Sequence, residues 1–308
     1  MERLDGSAPV PPHLAGGVVA LGNFDGFHLG HQAVVAQAVE RARAEGRPAL
    51  VATFDPHPVR FFRPETAPFR LSTLDQRERL FAAAGADATV VFSFDAAFAA
   101  LTAEQFVHER LVDRLQVAGV VTGEDFTFGK GKVGDAAGLA AFGDALGFTA
   151  ETVGAVALHG ETVSSTRIRE LLRAGDPTGA AGLLTRPFAI EGAVQHGDKV
   201  GRTIGYPTAN LDMGKYLRPA YGIYAVRGRL ADGRVLNGAA NLGIRPQFEP
   251  PKELLEPYFF DFSGDLYGEC IEVELIEFLR PEAKFDSLDA LMAQMDADCA
   301  RARTILER

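Results

Sequence analysis

Two histidines in one short stretch, His28 and His31, are the residues of this sequence best suited to chemistry on a phosphate. An imidazole can donate a hydrogen bond to a phosphate oxygen as charge develops, and the intervening Gly30 would let the phosphate approach the backbone closely. The stretch also contains Gly22 and Asn23 but neither a Cys nor a Ser nucleophile, so positioning and electrostatic stabilisation are its natural roles. We predict a nucleotide-handling site with His28 and His31 as catalytic residues. A metal-binding pair and two ordinary surface histidines are the alternatives.

The flanking sequence predicts where these histidines lie. Residues 17–21 read as a buried strand, and residues 32–45 have the apolar spacing of a helix that ends at Gly46. The histidines therefore stand where a strand passes into a helix. In an open α/β sheet this is the crevice where ligands bind, and the N–H groups of the helix N-terminus can meet a phosphate there.

Strand-like and helix-like runs alternate through the first half of the chain. The predicted strands are 17–21, 49–54, 88–92, 117–121 and 149–156, and the predicted helices are 32–45, 72–84, 102–115, 135–146 and 167–174. Thr102 and Gln105 have the spacing of a capping box. This alternation predicts an α/β fold with a doubly wound parallel sheet and helices on both faces.

The pattern changes near residue 185. Strand-like runs without intervening helices follow at 188–194, 222–230, 234–242, 258–262 and 270–278, and one terminal helix is predicted over 287–306. Closely spaced strands separated by turns predict a small antiparallel β-barrel. We therefore predict two domains, residues 1–185 and residues 186–308.

The composition is that of an ordinary globular protein. Of its 308 residues 47% are hydrophobic and 23% charged, and the formal net charge is −10. Because nucleic acids are bound by clustered Lys and Arg, this balance argues against a nucleic-acid partner. Cys270 and Cys299 fit neither a zinc spacing nor a disulfide framework, and we expect neither a leader peptide nor a membrane span. We expect a cytoplasmic protein, either a monomer or a weak homo-oligomer.

Two further motifs in the first half suit a nucleotide. Gly123 and Asp125 follow the fourth predicted strand at its carboxyl end, where Asp125 can accept a hydrogen bond from a base or a ribose. Hydroxyl groups and an arginine, which together can hold a phosphate, open the last predicted helix of this half: Ser164, Ser165, Thr166 and Arg169. A solvated hairpin and an ordinary helix cap are the alternatives.

A cationic, glycine-rich loop near the start of the second half also suits the phosphates of a nucleotide. Its candidate residues are Gly197, Lys199, Gly201, Arg202 and Gly205, and they do not match the P-loop pattern. Thr208 and Asn210 lie two apart on an extended segment, which predicts side-chain oxygens on one side, as Mg²⁺ would require. A turn followed by an edge strand is the alternative.

Several runs of the sequence resemble those of a known enzyme family. Residues 22–31, Gly-Asn-Phe-Asp-Gly-Phe-His-Leu-Gly-His, and residues 164–169, Ser-Ser-Thr-Arg-Ile-Arg, are similar to signatures of the nucleotidyltransferase superfamily. Residues 201–210, Gly-Arg-Thr-Ile-Gly-Tyr-Pro-Thr-Ala-Asn, resemble the signature of riboflavin kinases. Nearly the whole chain therefore resembles the bacterial bifunctional riboflavin kinase/FAD synthetase family.

The resemblance implies two reactions, each with ATP as co-substrate. The barrel would phosphorylate riboflavin to FMN, and the N-terminal nucleotidyltransferase domain would adenylylate FMN to FAD and release pyrophosphate. In the family the kinase base is a glutamate whose matching position here is Glu256 rather than Glu269, and Thr208 and Asn210 match the ligands of Mg²⁺–ATP. The flavin-binding candidates are Asp55, His57, Phe62, Phe106 and Phe128.

Two positions depart from the family pattern and leave alternatives open. Pro257 follows the presumed base and lacks the N–H that a strand ladder uses, and Gln247 stands where Thr commonly follows Arg-Pro. One alternative is an adenylyltransferase whose barrel only binds flavin. Others are a flavin-sensing regulator without turnover and a transferase for another acceptor.

Overall fold

The computed structural model describes residues 1–196, 206–245 and 251–308 and divides the chain into two compact units. The first comprises Met1–Ala67 and Leu74–Ser164, and the second comprises Pro68–Thr73 and Ser165–Arg308. Five predicted ATP-binding positions and one departure from the family pattern lie outside the described residues: Gly197, Lys199, Gly201, Arg202, Gly205 and Gln247.

The first unit is built on a parallel sheet. Its strands are β1 (Glu2–Asp5), β2 (Val18–Leu21), β3 (Ala49–Asp55), β4 (Ala88–Ser93), β5 (Gly119–Gly123) and β6 (Thr149–Val153), followed by a hairpin of β7 (Ala157–Leu158) and β8 (Glu161–Thr162). The order across the sheet is β1-β4-β3-β2-β5-β6, with every neighbouring pair parallel. Since β3 and β5 flank β2 on opposite sides, the winding reverses there, and the ligand crevice of such a sheet lies at the carboxyl ends of β2 and β5.

Helices cover both faces of this sheet, which confirms the doubly wound fold. They are α1 (Leu29–Glu45), α2 (Pro58–Phe62), α3 (Leu74–Ala83), α4 (Ala96–Ala99), α5 (Ala103–Gln105), a π-helical segment (Phe106–Arg114) and α6 (Ala136–Leu146). Val18 and Ala20 of β2 enter one hydrophobic cluster, and Val19 and Leu21 enter the other. A strand buried on both faces has a continuous apolar sequence, which is why these strands could be predicted.

The second unit contains antiparallel strands that close on themselves. They are β9 (Phe188–Ala193), β10 (Leu211–Asp212), β11 (Gly222–Arg229), β12 (Val235–Arg245), β13 (Lys252–Phe259) and β14 (Cys270–Arg280), in the order β10-β13-β12-β11-β14-β9. Beyond the ends of β9 and β10, the N–H of Gln195 donates to the carbonyl of Asn210 at 2.8 Å and brings the two edges together. The predicted small barrel is confirmed.

Helices α7 (Ser165–Arg173), α8 (Pro177–Leu184) and α9 (Leu288–Leu306) complete the second unit. The Ser287 hydroxyl caps α9, and the last turns of α9 bury Ala302, Ile305 and Leu306 against Ala225 of the barrel. Within the described ranges, no helix combines the length and the apolar character that crossing a bilayer requires.

Strand β13 begins at Lys252, whereas the sequence predicts a strand only from residue 258. Pro257 lies in register with Ala240 of β12, and its carbonyl accepts from the N–H of Ala209 at 3.0 Å. The nitrogen and carbonyl of one residue point to the same side of an antiparallel strand. The proline nitrogen therefore points away from β12, and the missing donor leaves the β12–β13 ladder intact.

Several short elements in the described ranges were not predicted, among them β1 and α8. Strand β1 carries Glu2, Arg3 and Asp5 and pairs with β4 at the sheet edge, so it lacks the apolar pattern of a buried strand. Helix α8 begins with an Asp176 cap and Pro177 in a short Gly/Ala-rich segment. These two segments are only 4 and 8 residues long, so neither is long enough for a periodicity to be recognised.

Candidate active sites

His28 ends the turn between β2 and α1 and caps the helix. Its Nδ1 accepts a hydrogen bond from the N–H of His31 at 3.4 Å, and the two rings stack with their centroids 3.6 Å apart. A neutral imidazole that accepts at Nδ1 carries its proton at Nε2. His28 can therefore donate from Nε2 to an anion at the start of α1, where the helix dipole also favours negative charge.

Two glycines of the motif stand where the backbone is approached closely. A Cβ on Gly30 would lie 3.2 Å from Cε1 of His28 and 3.8 Å from the carbonyl oxygen of Val163. A Cβ on Gly22 would lie 3.0 Å from the ring of Phe24. The chain leading to Ser164 therefore passes beside the His-x-Gly-His turn.

The turn holds two phenylalanines in the left-handed region of backbone conformation, with φ 50° at Phe24 and 44° at Phe27. Both side chains are buried, and their rings meet that of Phe81 at 5.7 and 5.2 Å. Bulky residues in this region are strained and persist only where packing fixes them. The strain lies directly before the two histidines.

Arg77 of α3 fixes the same turn. This buried side chain donates through one terminal nitrogen to the carbonyl of Asn23 at 2.7 Å and to Oγ1 of Thr53 at 2.8 Å, and the Thr53 hydroxyl donates to that carbonyl at 3.0 Å. Oδ1 of Asn23 is buried and has no hydrogen-bond partner among the described residues. A buried acceptor left unpaired in this way costs free energy until a donor reaches it.

The loop after β5 is folded back on itself. Phe128 and Gly134 exchange backbone hydrogen bonds of 3.0 and 3.1 Å, so the loop forms a narrow hairpin. A Cβ on Gly123 would lie 3.1 Å from Oδ1 of Asp125, whose side chain is exposed. The Asp125 carboxylate therefore lies beside the carboxyl end of β5, where a ligand can reach it.

The hydroxyl-rich motif straddles the division between the units. Helix α7 begins at Ser165, two residues before its predicted start, and Ser164 belongs to the first unit while Ser165, Thr166 and Arg169 belong to the second. Within the second unit, Nε of Arg169 donates to the carbonyl of Phe69 at 2.9 Å, and the guanidinium lies 5.4 Å from the centre of that ring. Arg169 is therefore held in a defined position.

The three aromatic flavin candidates differ in exposure. Phe62 on α2 is 63% exposed, and its ring lies against those of Phe61 and Phe94, with centroids 5.2 and 5.7 Å away. Phe106 and Phe128 are buried and pack 5.5 Å apart in the core. Among these three, Phe62 is the ring that a planar ligand can reach.

The other two flavin candidates flank the start of α2. Asp55 is the last residue of β3, and His57 caps α2 by accepting from the N–H of Val59 at 3.2 Å. Both therefore lie at the carboxyl end of a central strand.

The barrel contains a cavity of about 530 Å³. The predicted residues Thr208, Asn210 and Glu256 all line it, although their sequence separation is large. Apolar and aromatic side chains, including Tyr258 and Phe262, form much of the remaining wall. A cavity of this size with a few converging polar groups is typical of a small-molecule site.

Glu256 is held by Arg245, a residue that sequence reasoning missed. One terminal nitrogen of Arg245 donates to Oε2 of Glu256, and the other lies 3.4 Å from Oε1 of Glu282. Arg245 and Glu256 are 19% and 18% exposed, so solvent screens their ion pair only partly. A Cβ on Gly243 would lie 2.2 Å from Oε1 of Glu282, so this glycine makes room for the second carboxylate.

A second ion pair, between Arg280 and Asp298, also lines the cavity. Arg280 of β14 donates from two nitrogens to the carboxylate of Asp298 on α9, with distances of 2.7 to 3.0 Å. The hydrogen bond from Tyr206 to Asp296 raises the pKa of Tyr206 to about 12, and burial together with the nearby Asp298 raises the pKa of Cys299 to about 11. Both groups stay protonated near neutral pH, so this part of the cavity wall presents neutral side chains and a compensated charge.

The side chains at Thr208 and Asn210 fit a magnesium ion delivered with a nucleotide. Both contribute neutral oxygen donors to the cavity wall, and Asn210 is 7% exposed. Magnesium keeps several waters and is commonly held by few protein ligands together with substrate phosphates. In the described part of the chain, no group of three or more His, Cys, Asp or Glu side chains could hold a metal ion.

Arg77, Arg245 and Asn241 contribute to these sites without having been predicted. Arg77 occurs in a polar helical segment that resembles a solvated surface, and nothing in its spacing indicates full burial. Asn241 could have been found from strand register, because it lies directly opposite Glu256 in the β12–β13 ladder, whereas Arg245 is in register with Lys252 and reaches Glu256 only through its long side chain.

Comparison with known proteins agrees with this geometry. Residues 10–167 match the family model described as FAD synthetase, and residues 184–306 match the one described as riboflavin kinase. The bifunctional riboflavin kinase/FMN adenylyltransferase of Pseudomonas fluorescens is 41% identical over 306 residues, covering 99% of this chain and 98% of its own. The protein of the same description from Haemophilus influenzae is 39% identical over 290 residues, covering 94% of each chain.

A solved structure extends the similarity to the coordinates. The crystal structure described as a macrolide-efflux protein from Streptococcus pneumoniae is 32% identical, with a TM-score of 0.86 and coverage of 97% of both chains. The two family models match consecutive segments of the chain, and the relatives have nearly the same length. Both findings support the family assignment that the His-x-Gly-His turn and the barrel cavity suggest. This chain belongs to the bifunctional riboflavin kinase/FMN adenylyltransferase family.

Proposed function

We propose that the barrel of this protein phosphorylates riboflavin to FMN and that its parallel-sheet domain adenylylates FMN to FAD. The observation that carries the proposal is the meeting of Thr208, Asn210 and Glu256 on one cavity, within the segment that matches the riboflavin kinase model. The domains we propose are residues 1–185 and 186–308. Both reactions use ATP, and we expect them in the cytoplasm without a nucleic-acid or membrane partner.

In the kinase reaction, the Glu256 carboxylate accepts the proton of the terminal primary hydroxyl of riboflavin. That hydroxyl oxygen forms a bond to the γ-phosphorus of ATP, and the bond from this phosphorus to the β–γ bridging oxygen breaks, so ADP leaves. Such a transfer depends mainly on positioning and electrostatic stabilisation. Arg245 keeps the carboxylate oriented through its ion pair.

Thr208 and Asn210 would hold Mg²⁺, which supplies charge neutralisation for the phosphates when it is bound. The cationic loop that precedes them would bind the same phosphates through its backbone and side chains. Its proposed residues are Gly197, Lys199, Gly201, Arg202 and Gly205.

In the adenylyltransferase reaction, a phosphate oxygen of FMN attacks the α-phosphorus of a second ATP, and pyrophosphate leaves. His28 and His31 donate hydrogen bonds to the phosphate oxygens as charge develops. The other proposed ATP-binding residues are Gly22, Asn23, Gly30, Gly123, Asp125, Ser164, Ser165, Thr166 and Arg169. Phe62 offers its exposed ring to the flavin, with Asp55 and His57 nearby in sequence and with Phe106 and Phe128 in the supporting core.

A chromatographic time course with riboflavin, ATP and Mg²⁺ tests both activities in the full chain. We expect FMN to appear first and then to give way to FAD. FMN that accumulates without FAD would refute the adenylyltransferase. Riboflavin left unchanged while added FMN becomes FAD would refute the kinase.

A further inference from the structure

Asn241 contributes an unpaired acceptor to the barrel cavity. Its Oδ1 is buried, and it has no hydrogen-bond partner among the described residues, although the side chain lines the cavity. Leaving a buried acceptor unpaired costs free energy, which a ligand donor can recover. This atom is therefore a candidate contact for a bound molecule.

The strand register places Asn241 beside the presumed base. Asn241 of β12 and Glu256 of β13 are directly opposite in the antiparallel ladder, so their side chains share one face, with Cβ atoms about 4.5–5.5 Å apart. Glu256 is engaged by Arg245, which also approaches Glu282. Asn241 thus adds a neutral acceptor next to a carboxylate that already has a partner.

The chemistry of the acceptor selects among the groups a substrate could offer. The phosphates of ATP and the ring carbonyls of a flavin are themselves acceptors. The ribose hydroxyls and the adenine amine of ATP are donors, but the triphosphate separates them from the primary hydroxyl that meets Glu256. The secondary hydroxyls of the ribityl chain are donors, and they lie close to the primary hydroxyl that meets Glu256. The donor N–H of the flavin ring lies at the opposite end of the molecule from that hydroxyl.

We propose that Oδ1 of Asn241 accepts a hydrogen bond from a secondary hydroxyl of the ribityl chain and makes Asn241 a specificity-determining residue of the kinase. This inference rests on the proposed kinase reaction and identifies the ribityl chain as a part of the substrate that the site recognises. A site built to bond a hydroxyl rejects an analogue that lacks it, because the buried acceptor then stays unpaired.

The test measures kcat/KM of riboflavin phosphorylation for the wild type and Asn241→Ala, with riboflavin and with analogues that lack one secondary side-chain hydroxyl each. We expect the wild type to lose about 10- to 100-fold on one analogue. Asn241→Ala should lose a similar factor on riboflavin and almost nothing further on that same analogue. Equal losses for the variant on every analogue, or no loss on riboflavin, would overturn the proposal.

Two controls separate the possible causes. Asn237→Ala makes the same chemical change on an exposed residue of the same strand, outside the cavity, and should discriminate among the analogues as the wild type does. The thermal midpoint of Asn241→Ala should equal or exceed that of the wild type, since an unpaired acceptor is removed. A lower midpoint with uniform loss on all analogues would mean a structural role and would also overturn the proposal.

The wild-type measurements distinguish failure of the Asn241 role from failure of the kinase assignment. If the wild type leaves riboflavin unphosphorylated, the kinase assignment fails. If the wild type phosphorylates riboflavin but shows equal kcat/KM for every analogue, the kinase stands and the role of Asn241 fails. The wild-type comparison gives this answer even if the variant does not fold.

Discussion

The β2–α1 turn and the barrel cavity differ in how their residues are distributed along the sequence. The turn draws on a contiguous stretch of chain, with stacked imidazoles, close-packed glycines and strained phenylalanines fixed by Arg77. The cavity draws on separate strands: their register places Asn241 opposite Glu256, and the long side chain of Arg245 reaches the same carboxylate. The first arrangement can be recognised in a linear sequence, whereas the second depends on how strands align.

The largest expected effect separates the two sites. Glu256→Ala should lower riboflavin phosphorylation about 100- to 10,000-fold, because the acceptor of the hydroxyl proton is lost. FMN-to-FAD conversion should stay near the wild-type rate, and both are measured by chromatography of the flavins. Glu269→Ala is the matched control, an exposed glutamate outside the cavity, and should keep both activities. Loss of both activities in a folded Glu256→Ala protein would contradict the two-site assignment.

The reciprocal change is made at the turn. The double variant His28→Ala, His31→Ala should lower FAD formation from FMN about 100- to 1,000-fold, since donors to the developing phosphate charge are removed. Riboflavin phosphorylation should remain. His13→Ala, on the exposed surface, serves as the control. Unchanged FAD formation in the double variant would exclude these imidazoles from the chemistry.

Arg77→Met tests whether the turn is held by its buried support. We expect a loss of about 2–5 kcal/mol in the stability of the first unit, because two buried hydrogen bonds disappear and their acceptors stay buried. Denaturant unfolding measures this loss, and FAD formation should fall while riboflavin phosphorylation persists. Arg3→Met removes exposed ion pairs to Asp75 and Glu78 of the same helix and should cost under about 1 kcal/mol. Similar losses for both variants would argue against a special role for Arg77.

A smaller effect is expected where Arg245 orients the base. Arg245→Met should lower kcat of the kinase about 10- to 100-fold with little change in the KM for ATP, and Arg245→Lys should recover part of the loss by restoring one charged contact. Gly243→Ala should displace the Glu282 carboxylate and reduce kcat about 2- to 5-fold, since the contact of Arg245 with Glu256 remains. Steady-state kinetics with riboflavin give both parameters. A rise in KM at constant kcat would assign Arg245 to substrate binding instead of positioning.

The same contrast explains what could be predicted from the sequence. The buried strands of the sheet have continuous apolar runs. Helix α1 ends at Gly46, as the sequence predicted, and this glycine adopts the left-handed conformation that is common at helix C-termini. The capping box of Thr102 and Gln105 was also confirmed. These features are local, so local patterns are sufficient to predict them.

Non-local features were harder to predict. Pro257 suggested a weakened strand, yet its nitrogen points away from β12 and the ladder continues. The complete burial of Arg77 depends on Asn23 and Thr53, which are distant in sequence. Single-sequence reasoning has no access to such pairings until the strand register is known.

The two edge strands of the barrel, β9 and β10, meet through few backbone contacts. In the described part of the chain, β9 and β10 are joined by the backbone hydrogen bond from Gln195 to Asn210. A ring closed at such a point opens there at lower free energy than along its long ladders. Asn210 is also a proposed metal ligand, so a ligand that holds Asn210 in place should stabilise this hydrogen bond. The rate of deuterium uptake at the amide of Gln195 should therefore fall when the cavity is occupied.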